Sequence, residues 1–559
     1  TSSRKTRPMK APALLLAALL VAGCTTNLAP PSEAAPLSAA RILEDVRILS
    51  SDAFAGRGPA QAGERPTLEY LVNALSSAGL QPGGANGSWY QDVQLLRYDR
   101  TGPVEIAYRI GSETVPLAVG RDVTAASRIV GATGFADAPL VFAGYGVNAP
   151  QLGWNDYQGV DMRGKVAVVL ANDPDFEAEA PGRFGGRAMT YPGRFGAKVE
   201  EAQRQGAIAV LVVHEDAPAS YPWSQVANSD PAPGFGLAPA PGAASGTSFG
   251  LRGWLHRDRA VDLFRRAGLD FEALKRQARE PGFRAIPLGG AALSARFSTE
   301  TERVTSRNVV ARLPGTARPN ETILYGAHWD ANGIGPADAR GDRIRNGAID
   351  NAVGTATLLD IARAFARGPR TQRSILFAFW TAEEKGLLGA EYYAANPLHP
   401  LETTAAVFNL DPHVAMGAAR NLDLIGGGRT ELEDDLVRIA RVDGLRVDPE
   451  TNPEAGWYFR SDHFAFARRG VPAVYFRAGR DLVAGGRARG EALAADYNAS
   501  RYHHTSDEFD PAWDMAGAVQ EGTAAWRLGR ELANSRRWPT WRSGVEYRGV
   551  RDSSAAARR

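Results

Sequence analysis

Apolar residues in the second half of the chain form short compact runs that alternate with longer stretches of helical spacing. The runs have the length of strands and lie at 307–315, 321–330, 373–384, 404–411 and 471–477. The stretches of helical spacing lie between them, at 351–367, 386–396 and 432–444. Strands that alternate with helices predict an α/β sandwich with a mostly parallel sheet from about Val304 onward. In such a sheet, ligands bind at the carboxyl ends of the strands.

The first half of the chain has a different texture. Apolar spacing predicts helices at 39–51 and 67–84 and a helix over 258–280. Between them, compact apolar runs at 137–147 and 164–172 are bounded by glycines and have the length of buried strands. The texture of the chain therefore changes at about residue 129, where the compact apolar runs bounded by glycines begin.

Composition and charge narrow the function classes without selecting one. The chain has 559 residues, of which 44% are hydrophobic and 23% charged, as in ordinary globular proteins of two or more domains. The net charge of +2 gives no electrostatic reason to expect a nucleic-acid partner.

The N-terminal segment resembles the signal of a bacterial lipoprotein. Basic residues precede an apolar run at 11–22, which is too short to span a bilayer as a mature helix but fits a secretory signal. The run ends in LVAGC, which resembles a lipobox, and Cys24 is the sole cysteine. The resemblance implies an exported lipoprotein, held in the membrane by a lipid on Cys24. Because Thr25 follows, we expect the outer membrane, with the protein facing the periplasm.

Acidic and imidazole side chains recur where the predicted strands of the second half end. These positions are His328, Asp330, Asp350, Glu383, Glu384, Asp411, His503 and His504. A single strand-end aspartate is usually a helix cap, and a glutamate pair is usually solvated. The ordered set is different, because converging carboxylates repel one another unless cations lie among them. Two imidazoles and three carboxylates suit zinc and a two-metal site.

The order HWD, DNAVG, EE, D and H resembles the zinc aminopeptidase family with a co-catalytic metal pair. That family includes glutamate carboxypeptidase, glutaminyl cyclase and the transferrin receptor ectodomain. The resemblance covers residues 300–530 closely and 39–128 more loosely. It implies the zinc exopeptidase fold and two zinc ions per chain. Asp350 would bridge the two ions, with His328 and Asp411 completing one site and Glu384 and His503 the other.

The resemblance also implies roles for residues that do not bind metal. Glu383 would be the general base. Asp330 would accept the second ring N–H of His328 and fix its tautomer. Tyr458 stands three positions before Ser461, where a family member has a tyrosine that binds the transition state. The peptide bond between Asp350 and Asn351 is a candidate for the cis form that family members have at this point.

Two neighbouring histidines compete for the last metal position. The family pattern places an aspartate four residues after the ligand, which selects His503 because Asp507 follows it at that distance. Counting from His504 leads to Glu508. His413, close after Asp411, is an additional imidazole that we interpret as a non-ligand.

The middle of the chain resembles a protease-associated domain, which covers the active-site cleft in several of these peptidases. The runs VFAGYGV, GKVAVVL and EEAQRQGAIAVLVVHE carry this resemblance. We expect a β-rich insert at 129–298 and a frayed basic tail at the C-terminus. The predicted organisation is a signal at 1–24, a tether at 25–38, an N-terminal part of the peptidase domain at 39–128, the insert at 129–298, the catalytic domain at 299–535 and the tail at 536–559.

The resemblance implies a metallo-aminopeptidase that acts on peptides, and three alternatives stay open. A carboxypeptidase or dipeptidase would need a cation for the substrate carboxylate, for which Arg460 and Arg477 are candidates. A glutaminyl-cyclase-like transferase would use a single zinc. A binding protein of the transferrin-receptor type would have lost metal ligands, whereas all five are present here. The oligomeric state is left open.

Overall fold

The structure is a computed structural model that describes residues 1–2, 37–129, 131–178, 182–229, 233–239, 249–412 and 417–558. The signal segment with Cys24 lies outside the described residues, and so does His413. In the described ranges, no helix combines the length and the apolar character needed to cross a membrane.

The catalytic half contains the mostly parallel sheet that the sequence predicts. Its strands, in spatial order, are Ile286–Leu313, Arg373–Trp380, Arg318–His328, Thr404–Asn409, Ala473–Ala478, Asn421–Ile425 and Arg446–Pro449. The four strands from Arg373–Trp380 to Ala473–Ala478 run parallel to their neighbours, and the flanking strands Ile286–Leu313 and Asn421–Ile425 join them antiparallel. The parallel strands therefore present their carboxyl ends at one edge.

Helices cover both faces of this sheet. They are Ala39–Leu49, Glu64–Ser77, Gly354–Arg367, Leu388–Ala395, Leu432–Val442, His463–Ala467, Gly486–Ser500 and Ala516–Asn534. Gly354–Arg367 packs deeply against the sheet, because Leu358, Leu359 and Ile361 are all buried in the main core. Buried Asp360 on this helix pairs with Arg41 at 2.7 Å, which fixes the first helix against it.

The insert has its own core and shares the same sheet. Two long strands, Tyr90–Ile110 and Ile286–Leu313, pair with each other and lead from the catalytic half into the insert. The sheet continues through Gly131–Phe142, Val166–Leu170, Ala209–His214 and Leu251–His256, of which the last three run parallel to the first. Ile106, Leu117 and Val123 pack in this second core. Residues before 129 therefore contribute to the core of the insert.

The segment 258–280 forms two helices instead of the single predicted one. They are Arg257–Arg266 and Phe271–Gln277. Gly268 has a φ of +74°, which ends the first helix in the left-handed region. The Asp270 side chain then accepts the N–H of Ala273 at 3.0 Å and caps the second helix.

The C-terminal segment is packed, so the prediction of a frayed end is wrong. Trp541 is fully buried and its indole N–H donates to the carbonyl of Gly470 at 2.9 Å. Helix Arg548–Ser553 follows, and buried Arg551 donates to the carbonyl of Thr404 at 3.1 Å. The basic residues of this segment predicted exposure to solvent. Its aromatic residues, however, supply enough apolar surface to pack it against the catalytic half.

Candidate active site

The metal-ligand candidates meet at the carboxyl edge of the sheet. His328 is the last residue of its strand, and Glu383 and Glu384 follow the neighbouring strand Arg373–Trp380. Asp411 follows the next strand, Thr404–Asn409. Parallel pairing brings these three strand ends side by side.

Two clusters of ligand atoms share one carboxylate. His328 Nε2 lies 3.3 Å from Asp350 Oδ1 and 3.8 Å from Asp411 Oδ1. His503 Nε2 lies 3.3 Å from Asp350 Oδ2 and 3.0 Å from Glu384 Oε2. Within each cluster the ligand atoms lie within 4.8 Å of one another. Asp350 thus offers a different oxygen to each cluster, which is the arrangement of a bridging ligand, and His503 rather than His504 is the imidazole in the second cluster.

The Glu383 carboxylate lies beside the first cluster. Its Oε2 is 3.9 Å from His328 Nε2, and the side chain is 11% exposed. Burial raises the pKa of Glu383 well above its usual range, and the charges of Asp462 and Asp411 add to that effect. A carboxylate with a raised pKa at a partly open site is suited to accept and return a proton near neutral pH.

Asp330 contacts both His328 and the backbone of Glu383. The nearest acceptor for His328 Nδ1 is the main-chain carbonyl of Asp330 at 3.1 Å, while its carboxylate oxygen is 3.7 Å away. The carboxylate instead accepts the N–H of Glu383 at 3.1 Å. Asp330 therefore fixes the imidazole largely through its carbonyl and places the Glu383 backbone through its side chain.

Asp411 is held by a short chain of hydrogen bonds that the sequence did not reveal. The Ser461 hydroxyl donates to Asp411 Oδ2 at 2.5 Å, and the Asn409 amide donates to that hydroxyl at 2.6 Å. The Tyr475 hydroxyl donates to the main-chain carbonyl of Asp411 at 2.9 Å. These contacts leave Oδ1 of Asp411 facing His328.

The loop that carries Asp350 is fixed by hydrogen bonds to Asp507. Asp507 accepts the N–H groups of Ile349 and Asp350, each at 3.1 Å from one of its oxygens. The peptide bond from Asp350 to Asn351 is cis, as the sequence resemblance implied. These contacts set the direction in which the Asp350 carboxylate points.

Arg57 joins three segments of the site and was not found by sequence reasoning. Its guanidinium is buried and donates to the carbonyls of Trp329 at 2.9 Å, Asn346 at 2.6 Å and Gly347 at 2.7 Å. It therefore links the residue after His328 to the loop before Asp350. An arginine in a turn-rich stretch has no local pattern that would have identified it.

Tyr458, which the resemblance implied as a residue that binds the transition state, packs in a buried aromatic cluster. It lies in the short turn Trp457–Phe459, and its ring packs 4.7 Å from the ring of His463 and under the guanidinium of Arg429 at 4.3 Å. Gly426 permits the ring to approach its backbone, because a Cβ there would come within 2.5 Å of the tyrosine. The turn directs the side chain into the aromatic cluster with Phe459 and His463.

Tyr502 contacts a metal-ligand candidate directly, and Arg460 contacts Tyr502. The Tyr502 ring stacks on His503 with centroids 3.8 Å apart, and its hydroxyl accepts from Arg460 at 3.3 Å. The Arg460 guanidinium also lies 4.2 Å over the ring of Trp457. The signal available in the sequence was the tyrosine directly before His503.

The donor set and its charge fit two metal ions. Burial lowers the pKa of His328, but Glu383 and three aspartates outweigh it and raise that pKa well above the usual range. Among the described residues, the buried atoms Glu384 Oε1 and Asp330 Oδ2 have no hydrogen-bond partner. Carboxylates in such excess need cations, and imidazole nitrogens with carboxylate oxygens are ligands that zinc accepts.

Comparison with known proteins agrees with this geometry. Residues 308–526 match the profile of peptidase family M28. A probable zinc metalloprotease of Pyrenophora teres f. teres (strain 0-1) is 38% identical over 19% of this chain and 23% of its own length. Probable leucine aminopeptidase 2 of Aspergillus fumigatus is 31% identical over 36% of this chain and 40% of its own. The matches thus span between about a quarter and two fifths of these relatives.

The fold is similar to that of a solved aminopeptidase. The aminopeptidase from Aneurinibacillus sp. strain AM-1 superposes with a TM-score of 0.50 and 19% identity, over 89% of this chain and 95% of that chain. At this identity the likeness concerns the fold. Together with the profile match, it indicates that residues 308–526 are similar to peptidase family M28 and that the chain has the fold of a solved aminopeptidase.

Proposed function

We propose that the protein is a metallo-aminopeptidase that removes N-terminal residues from peptides with two zinc ions. The observation that carries the proposal is the pair of ligand clusters joined by Asp350, with the Glu383 carboxylate 3.9 Å from His328. The names of the two curated relatives, a zinc metalloprotease and an aminopeptidase, support the same reading.

The side chains divide the work of peptide hydrolysis. His328 and Asp411 would hold one ion, Glu384 and His503 the other, and Asp350 both. When bound, such ions polarise a carbonyl and lower the pKa of water. Glu383 takes the proton of the attacking water and returns it to the leaving amine.

The contacts around these side chains keep the reacting groups in place. Asp330 holds the backbone of Glu383, so the carboxylate stays beside His328 throughout both proton transfers. Ser461 occupies Oδ2 of Asp411 and so leaves Oδ1 for the ion. Positioning of this kind avoids the cost of reorganising the site during the reaction.

A second candidate is a carboxypeptidase or dipeptidase, which one feature of the cleft favours. The positive charges of Arg460 and of Arg194, from the insert, both act on Glu383. Burial lowers the pKa of Arg194 to about 10, so it stays protonated at neutral pH. Two guanidinium groups near the general base could bind a substrate carboxylate. Arg477, the other predicted clamp, is instead bonded to the hydroxyl of Tyr475.

The test is hydrolysis of aminoacyl p-nitroanilides and of N-acylated dipeptides, with zinc, with chelator and with Glu383→Gln. An aminopeptidase cleaves the anilides and a carboxypeptidase the N-acylated dipeptides. Glu383→Gln should lower kcat by about 10³-fold while two zinc ions stay bound. Glu105→Gln, an exposed surface change, is the matched control. Full activity in Glu383→Gln, or activity that survives metal removal, would contradict the proposal.

We also propose that the protein is a lipoprotein, on the strength of the LVAGC sequence. Cys24→Ala should then move it from the detergent-soluble membrane fraction to the aqueous fraction. An unchanged distribution would argue against the anchor.

A further inference from the structure

The N-terminal segment 52–64 has a strained backbone. Ala55, Arg57 and Ala60 have φ angles of +46°, +48° and +55°, which lie in the left-handed region that a Cβ disfavours. Backbone of this kind persists only where the surrounding contacts hold it, and it is concentrated at functional sites. The contacts that hold this segment are made with the loops of the candidate active site.

The segment packs closely against the hairpin 333–345, which precedes the bridging-ligand candidate. Gln61 Oε1 accepts the N–H of Ile334 at 3.0 Å. A Cβ on Gly56 would come within 2.6 Å of the carbonyl oxygen of Arg345, so only glycine allows this approach. The strained segment and the hairpin therefore form one packed unit beside the site.

The Arg57 guanidinium connects the segment to the two ligand loops, which carry His328 and Asp350. Its N–H groups donate to main-chain carbonyls, which are those of Trp329 at 2.9 Å, Asn346 at 2.6 Å and Gly347 at 2.7 Å. Trp329 directly follows His328, and Gly347 lies shortly before Asp350. A guanidinium is planar and its donors form a rigid fork, so these bonds fix the separation of the two ligand loops.

Glu64 connects the same segment to the turn that carries Glu383. Its buried carboxylate accepts the hydroxyl of Ser306 at 2.9 Å, and that hydroxyl lies 2.5 Å from the hydroxyl of Thr381. Ala382, between Thr381 and Glu383, has a left-handed φ of +53°. The segment therefore supports the turn of the general base as well as the two ligand loops.

A second buried arginine makes similar bonds at the opposite edge of the sheet. Arg373 is fully buried and donates to the carbonyls of Leu532 and Arg537, each at 2.9 Å. It begins the strand Arg373–Trp380, whereas Glu383 follows the other end of that strand. Arg373 therefore has the burial and the bonding of Arg57 at a place remote from the ligand loops.

We infer that segment 52–64 is a positioning element of the catalytic centre. Arg57 sets the separation of the two ligand loops, and Glu64 holds the turn of Glu383 through two hydroxyl groups. Both act through other residues, so they are positioning residues and not ligands. The inference rests on the proposed function and deepens it by naming the residues that set the geometry of the site.

The first experiment measures the zinc dissociation constant, kcat and KM of Arg57→Lys below its unfolding temperature. Lysine keeps the charge but lacks the fork, so it cannot join the same carbonyls in the same geometry. We expect zinc affinity to fall about 10–100-fold and kcat at saturating zinc about tenfold, with KM within about twofold of the parent. Arg373→Lys is the matched control, which should lower the unfolding temperature and leave zinc affinity and kcat unchanged.

Ser306→Ala tests the support of the base turn separately. It removes the hydroxyl between Glu64 and Thr381 and leaves both without that partner. We expect kcat to fall by about fivefold, with zinc affinity within about twofold of the parent because the ligand loops keep Arg57. Ser298→Ala, at an exposed position of the same strand, is the matched control.

The outcomes separate this inference from the proposed function. Parental zinc affinity and kcat in folded Arg57→Lys would overturn the inference and leave the proposed function standing. Equal losses of zinc affinity in Arg57→Lys and Arg373→Lys would also overturn it. If Arg57→Lys does not fold, Ser306→Ala decides, and a parental kcat there overturns the inference. If the parent cleaves no anilide, the proposed function fails, whereas the zinc affinities still test Arg57.

Discussion

Two clusters of carboxylates in the molecule, one in the insert and one at the catalytic sheet, are compensated differently. In the insert, buried Asp156 and Asp173 lie near Lys198, whose side chain is fully buried. At the carboxyl edge of the catalytic sheet, Asp350, Glu384 and other carboxylates converge with two imidazoles and no lysine or arginine among the ligands. The cluster in the insert is compensated by the ammonium of Lys198. The cluster at the catalytic sheet has positions for metal cations from solution.

The contacts of Lys198 explain why the insert cluster is structural. Its ammonium donates to the carbonyls of Tyr145 at 2.6 Å and Asn172 at 2.8 Å, and its charge lowers the cost of both aspartates. Asp173 is saturated further by the N–H and hydroxyl of Thr190. The comparison shows that buried acidity alone does not make a metal site; what distinguishes one is oxygens left without an internal cation or donor.

The largest effect is expected from Asp350→Asn, because Asp350 serves both clusters. We predict that bound zinc falls from two ions to one or none and that kcat/KM falls by about 10⁴-fold. Metal content by atomic spectroscopy and anilide hydrolysis measure the two effects. Asp92→Asn, in an exposed ion pair, is the control. Retention of both ions in Asp350→Asn would remove the bridging role.

Lys198→Met in the insert is expected to lower the stability of the protein and to leave its zinc content unchanged. Removing the ammonium leaves buried carboxylates without their cation, which should cost about 3–5 kcal/mol of stability. Zinc content should stay at two per chain. Thermal unfolding followed by circular dichroism measures the loss, with exposed Lys165→Met as the control. A loss of zinc without a loss of stability would contradict the division between the two clusters.

A smaller, pH-dependent effect is expected from His214, which is 2% exposed in an aromatic group of the insert. Burial lowers its pKa to about 4, against about 6.5 in the unfolded chain. The unfolded state then binds more protons between these values. The stabilisation is therefore present above pH 6.5 and lost as the pH falls through 4, by about 3 kcal/mol in total.

The measurement is the pH dependence of the unfolding temperature in the protein and in His214→Phe. The difference between the two curves isolates this side chain from other groups that titrate in acid. Parallel curves from pH 7 to pH 4 would show that His214 does not carry the effect.

The smallest effect in the series is expected from Asp330→Asn. Its carbonyl still faces His328, but the carboxylate that accepts the N–H of Glu383 loses its charge. Changes of this kind around metal ligands lower metal affinity or activity by about 10–100-fold. Competition with a zinc-binding dye measures affinity, and Asp161→Asn on the surface is the control. An effect as large as that of Asp350→Asn would mean that Asp330 is itself a ligand.

Sequence reasoning singled out the ligand candidates partly from strand ends and partly from the family resemblance, which selected His503 over His504. His328, Glu384 and Asp411 stand at strand ends, where the apolar strand pattern stops and charged residues begin. Parallel strands then guarantee that such ends meet. At these positions, the end of a strand that the sequence pattern predicts is also a point on the carboxyl edge of the sheet.

The supporting residues could not be found in that way because their partners are distant in sequence. Arg57 lies 272 residues from Trp329, and Ser461 lies 50 residues from Asp411. Spacing also carries no information on the direction of the Tyr458 side chain, whose ring lies against Gly426 from the turn Trp457–Phe459. Such contacts depend on loop geometry and packing, which periodicity does not describe.

The most direct test of the metal-pair claim is anomalous X-ray diffraction at the zinc absorption edge from crystals of the zinc-loaded protein. Two peaks are predicted, one among His328, Asp350 and Asp411 and the other among Asp350, Glu384 and His503. A single peak, or peaks bound elsewhere with these side chains paired only to one another, would contradict the account.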